Sequence, residues 1–339
     1  MKKIICILNI LKKYSDENHA LTASEIIEKM NSLYYVNAER KSVYRDIEVL
    51  AECGYNVAKA GRNGFYLAER NFEPAEIRLL NDAVLSARFI PPKITRELSE
   101  KLRTELSIYQ AKQIESQTYF DHRVKYDNEQ IMYIIDTIHK AICERRKITF
   151  DYFRKKIENS QVCRVMTRSH IVSPYALVWS DEKYYLVGNY EKYNNISHYR
   201  LDRMENVAVT NEPARYFEEV SEYKNMFDIG DYVSRVFQMY SGEEEEIILL
   251  CKNELLEKMI DKFGDNVRYV SCGEEHFRLK AKCCRSEGLV EWLMMFGNRC
   301  AVISPESLRN DIVERAKSII SFQNNMSEFD INANFSNKK

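Results

Sequence analysis

The stretch "ISHYRLDRMENV", residues 196–207, places one histidine, two arginines and one aspartate among apolar residues. Two guanidinium groups can bind a phosphate or carboxylate through paired hydrogen bonds, and an imidazole can add a further donor. The same charges can instead neutralise one another, with Asp202 pairing with an arginine in a structural network. The stretch therefore predicts an anion-binding site or an ion-pair network, and both readings stay open.

A strand from Ile196 to Leu201 would separate these side chains by the two-residue period of β-structure. His198 and Arg200 then share one face, while Tyr199 and Leu201 share the other, which suits a core. We therefore expect the histidine and the arginine to point toward any ligand.

Arg203 lies just past this strand and can converge with Arg200 if the chain turns at Asp202. Tyrosines of the preceding strands can stack on a base or ring. This chemistry favours a phosphorylated or nucleic-acid ligand. The candidate effector-binding residues are Tyr175, Tyr185, His198, Arg200 and Arg203.

Signatures of catalysis are missing from the sequence. It contains no G-x-S-x-G, no H-E-x-x-H and no Walker loop, and its six histidines form no clustered triad. Nine cysteines without a CxxC pair indicate reduced thiols in a cytoplasmic protein rather than disulfides or a zinc site. We expect a protein that is not an enzyme and that carries no metal or cofactor.

Length and charge set further limits. A chain of 339 residues is long enough for two or three domains, and a net charge of -1 excludes a polybasic nucleic-acid coat. No stretch reaches the roughly 18 apolar residues of a membrane span. Residues 131–210 carry 13 basic against 9 acidic side chains, whereas residues 240–320 carry 12 against 15. Any anion-binding surface is therefore expected to be local.

Residues 1–70 show three helical patterns followed by a hairpin pattern around "GRNG". This order predicts a winged helix-turn-helix, whose third helix enters the major groove of operator DNA. A small helical domain with a solvated charged face is the alternative, because this segment holds 11 basic against 9 acidic side chains. The candidate DNA-binding residues are Arg40, Lys41, Ser42, Tyr44 and Arg45 of the third helix and Arg62 of the hairpin tip.

Residues 71–128 have the pattern of a helical connector. Ile94, Leu98, Leu102 and Leu106 recur every four residues after two prolines. Such a stripe can pair with a second copy in a homodimer or pack against its own domain, and the sequence does not decide between the two.

The second half of the chain predicts two further domains, so that the fold class is α+β multidomain. Residues 129–212 read as a helix followed by several short strands, typical of a small, strongly bent sheet or partly open barrel. A linker follows at 213–240. Residues 241–322 show the βαββαβ order of a ferredoxin-like domain, and residues 323–339 form an Asn- and Ser-rich tail that we expect to be disordered.

Three segments resemble one family, the WYL-domain transcriptional regulators of bacteria. "SVYRDIEVLAECGY" is similar to their winged-helix recognition segment, and "SPYALVWSDEKYYLVGN" with "HYRLDRM" resembles their Sm-like WYL domain. "EWLMMFGNRCAVISPESLR" is similar to their C-terminal extension. The resemblance implies a DNA-binding regulator whose WYL domain, an Sm-like small β-barrel, senses an effector, in several members a nucleic-acid or nucleotide-like anion.

The chain departs from the family pattern at two places. The name-giving Trp-Tyr-Leu is Tyr184-Tyr185-Leu186 here, and Ser197 stands where many members have another arginine. The aromatic character is kept but one positive charge is lost. We expect a regulator that senses an anionic effector; the alternative is a DNA-binding protein whose C-terminal half is only an oligomerisation or protein-interaction platform.

Overall fold

The computed structural model describes residues 2–61, 64–116, 125, 128–180, 182–220, 232, 236–237, 239–240, 242–265 and 267–325. The chain forms two compact units, residues 1–132 and 133–339. Both contain helices, and every sheet pairing among the described residues is antiparallel, which confirms the α+β class. Arg62 and residues 326–339 of the expected tail lie outside the described residues.

The first unit begins with three helices, α1 (Lys2–Tyr14), α2 (Ala23–Tyr34) and α3 (Arg40–Glu52). Strands β1 (Leu21–Thr22), β2 (Val57–Ala60) and β3 (Gly64–Leu67) form a sheet in the order β1-β3-β2. The Thr22 hydroxyl accepts a hydrogen bond from the backbone of Glu25, whose carboxylate bonds back to Thr22, so that a capping box starts α2. The buried core includes Ile7, Ile10, Leu11, Ile26, Met30, Val43, Ile47, Leu50, Phe65 and Leu67.

The connector contains helices α4 (Pro74–Ser86), α5 (Pro92–Arg103) and α6 (Ile108–Ser116). The expected four-residue stripe does not run along one helix, because α5 ends before Leu106. Leu106 is buried with Ile77 and Ile114 inside the unit.

Two side chains, Arg70 and Ser107, link the connector to α1 and the residues that follow it. The Arg70 guanidinium donates to the backbone oxygens of Lys12, Ser15 and Glu105, at 2.8, 2.6 and 3.3 Å. The Ser107 hydroxyl donates to the buried carboxylate of Asp16 at 2.6 Å. These contacts tie together segments that are far apart in sequence within one unit.

The second unit begins within α7 (Ile131–Glu144). Its first strands are β4 (Arg146–Glu158), β5 (Gln161–Ser180), β6 (Lys183–Tyr190), β7 (Ser197–Arg200) and β8 (Met204–Pro213). The strand order is β7-β6-β5-β4-β8. Among the described residues the edge strands β7 and β8 do not pair with each other, so the sheet is open and the expected barrel is not closed.

Gly188 of β6 marks a tight crossing in this sheet. A Cβ atom there would lie 2.6 Å from Cγ1 of Val172 and 2.8 Å from the carbonyl oxygen of Ser173. Only glycine allows β6 to approach β5 this closely.

The last part of the chain contains β9 (Glu244–Lys252), α8 (Leu256–Phe263), β10 (Arg268–Cys272), β11 (His276–Cys284), α9 (Glu287–Met294), β12 (Cys300–Ser304) and α10 (Glu306–Asn324). The sheet has the order β10-β11-β9-β12. Its apolar face packs against the helices through a buried cluster that includes Leu249, Met259, Leu279, Leu293 and Leu308. Helix α10 extends to Asn324, two residues into the segment expected to be a tail.

Candidate functional site

The stretch with the histidine and two arginines forms β7 and a short 3-10 turn, Leu201–Arg203. Tyr199 and Leu201 are buried, whereas His198 and Arg200 are only partly buried. The two-residue alternation expected from the sequence is present. Strand β7 is held at the sheet edge by β6, where Tyr185 pairs with Arg200.

The Arg200 guanidinium is bound by Asp202. Its Nε donates to Oδ1 at 3.0 Å and its Nη2 to Oδ2 at 2.8 Å. The backbone N–H of Arg200 donates to the hydroxyl of Tyr152 at 3.2 Å. Asp202 therefore pairs with one arginine, as the sequence suggested, and Arg200 has an internal partner as well as access to solvent.

His198 is held in its neutral form. Burial lowers its pKa to about 4, and a hydrogen bond with the backbone of Met239 opposes that effect in part. Its Nε2 lies 2.8 Å from the hydroxyl of Tyr232. His198 therefore acts near pH 7 as an uncharged hydrogen-bonding group rather than as a cation.

A cavity of about 880 Å³ opens beside these residues. Its lining contains no aspartate or glutamate among the residues that the structure describes. Five cationic side chains line it: Arg154, Arg168, Lys183, Arg200 and Arg203. Six tyrosines also line it: Tyr152, Tyr185, Tyr190, Tyr193, Tyr199 and Tyr240. Such a lining can bind phosphate or carboxylate groups and can stack on a planar ring.

Arg203 differs from Arg200 in this cavity. No hydrogen bond or ion pair among the described residues engages its guanidinium, and its side chain is half-buried. Arg168 is exposed and lies over the ring of Tyr190, 5.9 Å from its centroid. Both groups can therefore bind an incoming anion without breaking an ion pair.

An aromatic cluster forms one wall of the cavity around His170. The imidazole stacks on Phe150 at 5.3 Å between centroids and meets the edges of Tyr152, Tyr190 and Tyr199. Burial first, and the charge of Arg168 second, lower the pKa of His170 to about 4. The imidazole is therefore neutral near pH 7, and its buried Nδ1 atom has no hydrogen-bond partner in the part of the chain that the structure describes.

The structure brings four of the five expected effector residues to the cavity and leaves out Tyr175. The Tyr175 ring packs edge-on against Phe217 at 5.2 Å, and burial raises the pKa of its hydroxyl to about 12. A register shift between Pro174 and Ala176 accounts for its different direction.

Sequence reasoning missed several cavity residues. Arg154 follows Tyr152 by two positions on β4, and Arg168 precedes His170 by two on β5. Because Tyr152 and Arg168 are cross-strand partners, one face of this hairpin carries both cations. The same two-residue spacing, applied to β4 and β5 as it was to β7, was a usable signal.

Helix α3 presents its expected basic face to solvent. The Arg40 guanidinium donates to the hydroxyl of Ser24 at 2.5 Å, and the Ser42 hydroxyl donates to Asp46 at 3.4 Å. Tyr44 meets the buried Phe65 edge-on at 5.6 Å. The exposed residues of this face are Arg40, Lys41, Tyr44 and Arg45.

Within the described residues, no group of three or more His, Cys, Asp and Glu side chains has an arrangement that could hold a metal ion. None of the described helices is long and apolar enough to cross a membrane.

Fold and cavity together define a multidomain α+β protein in which a basic, tyrosine-rich cavity lies beside an open antiparallel sheet. The WYL domain model matches residues 133–209, and the WCX domain model matches residues 243–320. The chain belongs to the WYL-domain transcriptional regulator family.

Two solved structures are similar to this chain at low identity. Proteasome accessory factor B/C (PafBC) of Arthrobacter aurescens matches at 14% identity and a TM-score of 0.27, over 92% of this chain. This chain spans 47% of the length of that one. The crystal structure of a CRISPR Cas-related protein matches at 12% identity and a TM-score of 0.36, over 96% of this chain and 86% of that one. No curated protein sequence matches the chain.

Proposed function

We propose that this protein is a DNA-binding transcriptional regulator whose WYL domain binds an anionic effector. The observation that carries the proposal is the cavity beside β7, which combines five cations, six tyrosines and no described carboxylate in its lining. A cleft lined by cations with no described carboxylate concentrates anions from solution, because its positive potential raises the local concentration of counter-ions.

The effector is best explained as a nucleotide or a short single-stranded nucleic acid. Arginine and lysine suit its phosphates, and Tyr190 and Tyr193 suit a stacked base. The cavity volume of about 880 Å³ falls within the range of small-molecule sites, roughly 300 to 1,000 Å³. A mononucleotide or dinucleotide therefore fits by both size and charge.

Operator binding is assigned to the first unit. Three helices followed by the β2–β3 hairpin have the order of a winged helix-turn-helix, with α3 as recognition helix. Arg40, Lys41, Tyr44 and Arg45 are exposed on α3, where base edges and phosphates would be met. Ser42 and the tip residue Arg62 complete the proposed DNA contacts.

Strand order supports the two other proposed domain types. The order β7-β6-β5-β4-β8 after an N-terminal helix supports an Sm-like arrangement that stays open. The order β10-β11-β9-β12 with two crossing helices supports a ferredoxin-like arrangement for the WCX domain.

A homodimer is the proposed working unit, because a single winged helix covers few base pairs and two copies read half-sites about 34 Å apart or a multiple of it. The connector and the WCX domain are the proposed interfaces. We place the protein in the cytoplasm with its operator DNA.

Calorimetry of the full chain with nucleotides and short single-stranded oligonucleotides tests effector binding. We expect Arg203→Ala to weaken binding by at least tenfold, because a guanidinium–phosphate pair is a strong charge-assisted interaction. Lys192→Ala is the matched control, since it removes an exposed charge close to the cavity but not from its lining. Equal affinity of the two variants would place the ligand elsewhere.

Coupling to DNA is tested on the same proteins. A regulatory coupling of about 1 to 3 kcal/mol changes operator affinity about 5- to 150-fold, and operator DNA must change effector affinity by the same factor. If ligand binds but operator affinity stays constant, the second half is a binding platform without regulatory output. If none of the nucleotides and oligonucleotides binds, the alternative is favoured, in which the second half of the chain is an oligomerisation platform.

A further inference from the structure

Strands β4 and β5 continue beyond the sheet as a two-stranded arm, residues 153–166. Within the described chain, β4 pairs with β8 only as far as Tyr152, and β5 pairs with β6 only from Val172 onward. From Phe153 opposite Met166 to the tip, the two strands pair only with each other. Six residues in each strand give the arm a length of about 20 Å at roughly 3.3 Å per residue.

The arm is a regular hairpin with a defined tip. Asn159 and Ser160 have φ angles of 51° and 61°, as both central residues of a type I′ turn require. All residues from 154 to 162 are exposed. A two-stranded ribbon without further strands is marginally stable in water, so an arm of this length is best explained by a partner that it binds.

Positive charge lies on both faces of the arm. Residues 153–166 contain four basic side chains and one acidic side chain. Lys155 and Lys156 are consecutive and exposed, and consecutive residues in a strand point to opposite faces. Arg164 is held by an ion pair with Glu205 and by contact with the ring of Phe153 at 4.5 Å. Neither lysine has an ion-pair partner among the residues that the structure describes, so both can meet an anionic partner.

The end of the arm is apolar. Ile157 and Val162 are cross-strand partners next to the turn, and they are 78% and 69% exposed. Apolar side chains this exposed at the end of a basic ribbon have the chemistry of a wedge that enters between base steps in the minor groove. Basic faces on both sides would meet the two phosphate backbones that border the groove.

We propose that the arm binds duplex DNA along the minor groove, with Lys155 and Lys156 on opposite phosphate backbones and the Ile157–Val162 pair against the bases. The four residues of this contact lie outside α3 and outside the cavity lining, although Arg154 at the base of the arm belongs to that lining. It rests on the proposed DNA binding of the protein and adds a second, sequence-tolerant DNA contact to it.

The charge contribution is measured by salt titration of the full chain on a 40-base-pair mixed-sequence duplex. Affinity falls as salt rises, and each phosphate contact contributes about 0.9 to the magnitude of the slope of log affinity against log salt. We expect Lys155→Gln combined with Lys156→Gln to reduce this magnitude by about 2. The control is Lys258→Gln combined with Lys317→Gln, which removes two exposed lysines of the WCX domain and should leave the slope unchanged.

The apolar tip is tested by Ile157→Thr combined with Val162→Thr, which keeps β-branched side chains in the strands. A duplex with 2-aminopurine in an A·T-rich segment reports unstacking as a rise in fluorescence. We expect the wild-type chain to give this rise and the tip variant to lose it while keeping its salt slope.

Arg45→Ala, measured in parallel, separates the two assignments. If Arg45→Ala weakens binding but both arm variants match the wild type, the arm proposal is overturned and the recognition helix stands. If the arm variants lose binding and Arg45→Ala does not, the recognition-helix assignment fails and the arm stands. Arm variants that keep duplex binding but lose binding to vesicles with anionic lipid would make the arm a membrane contact, which also overturns the proposal.

Discussion

Arg200 and Asp202 form a bidentate ion pair beside the cavity, with N–O distances of 3.0 and 2.8 Å. Their side chains are only 17% and 9% exposed, so water replaces neither partner easily. The pair closes the turn after β7 and also keeps one guanidinium in the lining of the cavity. Arg200 therefore has the structural role that the sequence allowed, and it lies where the proposed effector would bind.

Arg200→Ala is expected to reduce the free energy of unfolding by about 1 to 3 kcal/mol, because it leaves a buried carboxylate without its partner. Arg203→Ala should cost much less, since no described residue pairs with that guanidinium. Urea denaturation of both variants measures the difference. Equal stability of the two variants would show that the Asp202 pair is not structural.

Asp202→Asn is expected to raise the affinity for an anionic ligand. The substitution keeps the shape of the side chain, removes its negative charge and leaves Arg200 with more positive charge toward the cavity. Calorimetry with the same nucleotide and oligonucleotide probes, at two salt concentrations, measures the gain. An unchanged or weaker affinity in a folded variant would mean that the ligand does not approach Arg200.

Two histidines with a lowered pKa, His170 and His198, make the free energy of unfolding depend on pH. Burial lowers the pKa of both His170 and His198 to about 4, against an ordinary value near 6.5. The unfolded chain therefore takes up protons that the native state does not, so their full contribution is present above about pH 6.5 and is lost as pH falls toward 4. Each histidine contributes a slope of at most about 1.4 kcal/mol per pH unit.

Urea midpoints between pH 7.5 and 5 measure this slope, above the range where most carboxylates titrate. His170→Phe should flatten it, because phenylalanine keeps the aromatic contacts with Phe150 and Tyr199 and cannot be protonated. His139→Gln, at an exposed position of α7, is the control. A wild-type midpoint that stays constant over this range would contradict the prediction.

The part of the site that follows a local period was predictable. His198 and Arg200 share one side of β7, and Tyr199 and Leu201 are buried, as alternation requires. Tyr175 was expected beside the effector but does not line the cavity, because the irregular pairing between Pro174 and Ala176 interrupts that period. A bulge of this kind has no clear signal in a single sequence, since it depends on how two strands pair.

The other cavity residues, and the contacts between distant segments, depend on long-range pairing and could not be predicted from the sequence. Arg154 and Arg168 lie on opposite strands of a hairpin whose length was not evident from "KITFDY" alone, so their convergence on one cavity was missed. Asp16 and Ser107 meet across 91 positions without any local pattern. The order of helices and strands could be predicted, because each helix and strand has its own apolar period.

Ser107→Ala is expected to reduce the free energy of unfolding by about 1 to 3 kcal/mol, because it removes a donor from the buried Asp16 carboxylate. Burial raises the pKa of Asp16, but hydrogen bonds from Ser107 and His19 outweigh this effect and lower it overall. The variant should therefore also raise the pKa of Asp16.

Hydrogen exchange of α6 and urea denaturation measure the loss of stability, with Ser86→Ala at an exposed helix position as control. Unchanged exchange in α6 would show that the contact does not hold the connector.

Arg45→Ala tests the recognition helix. Arg45 is exposed on α3, away from the buried Val43, Ile47 and Leu50. If Arg45 contacts a guanine, its loss should cost about 1 to 3 kcal/mol of binding free energy and relax specificity at one position. If it binds phosphate, affinity should fall on all sequences, and the magnitude of the salt slope should decrease by about 1.

Operator sites selected from a random duplex pool provide the target. Arg78→Ala, on the exposed side of α4 in the same unit, removes an equal charge and should bind like the wild type. If Arg45→Ala binds as tightly as Arg78→Ala at every salt concentration, α3 does not contact the DNA through this residue.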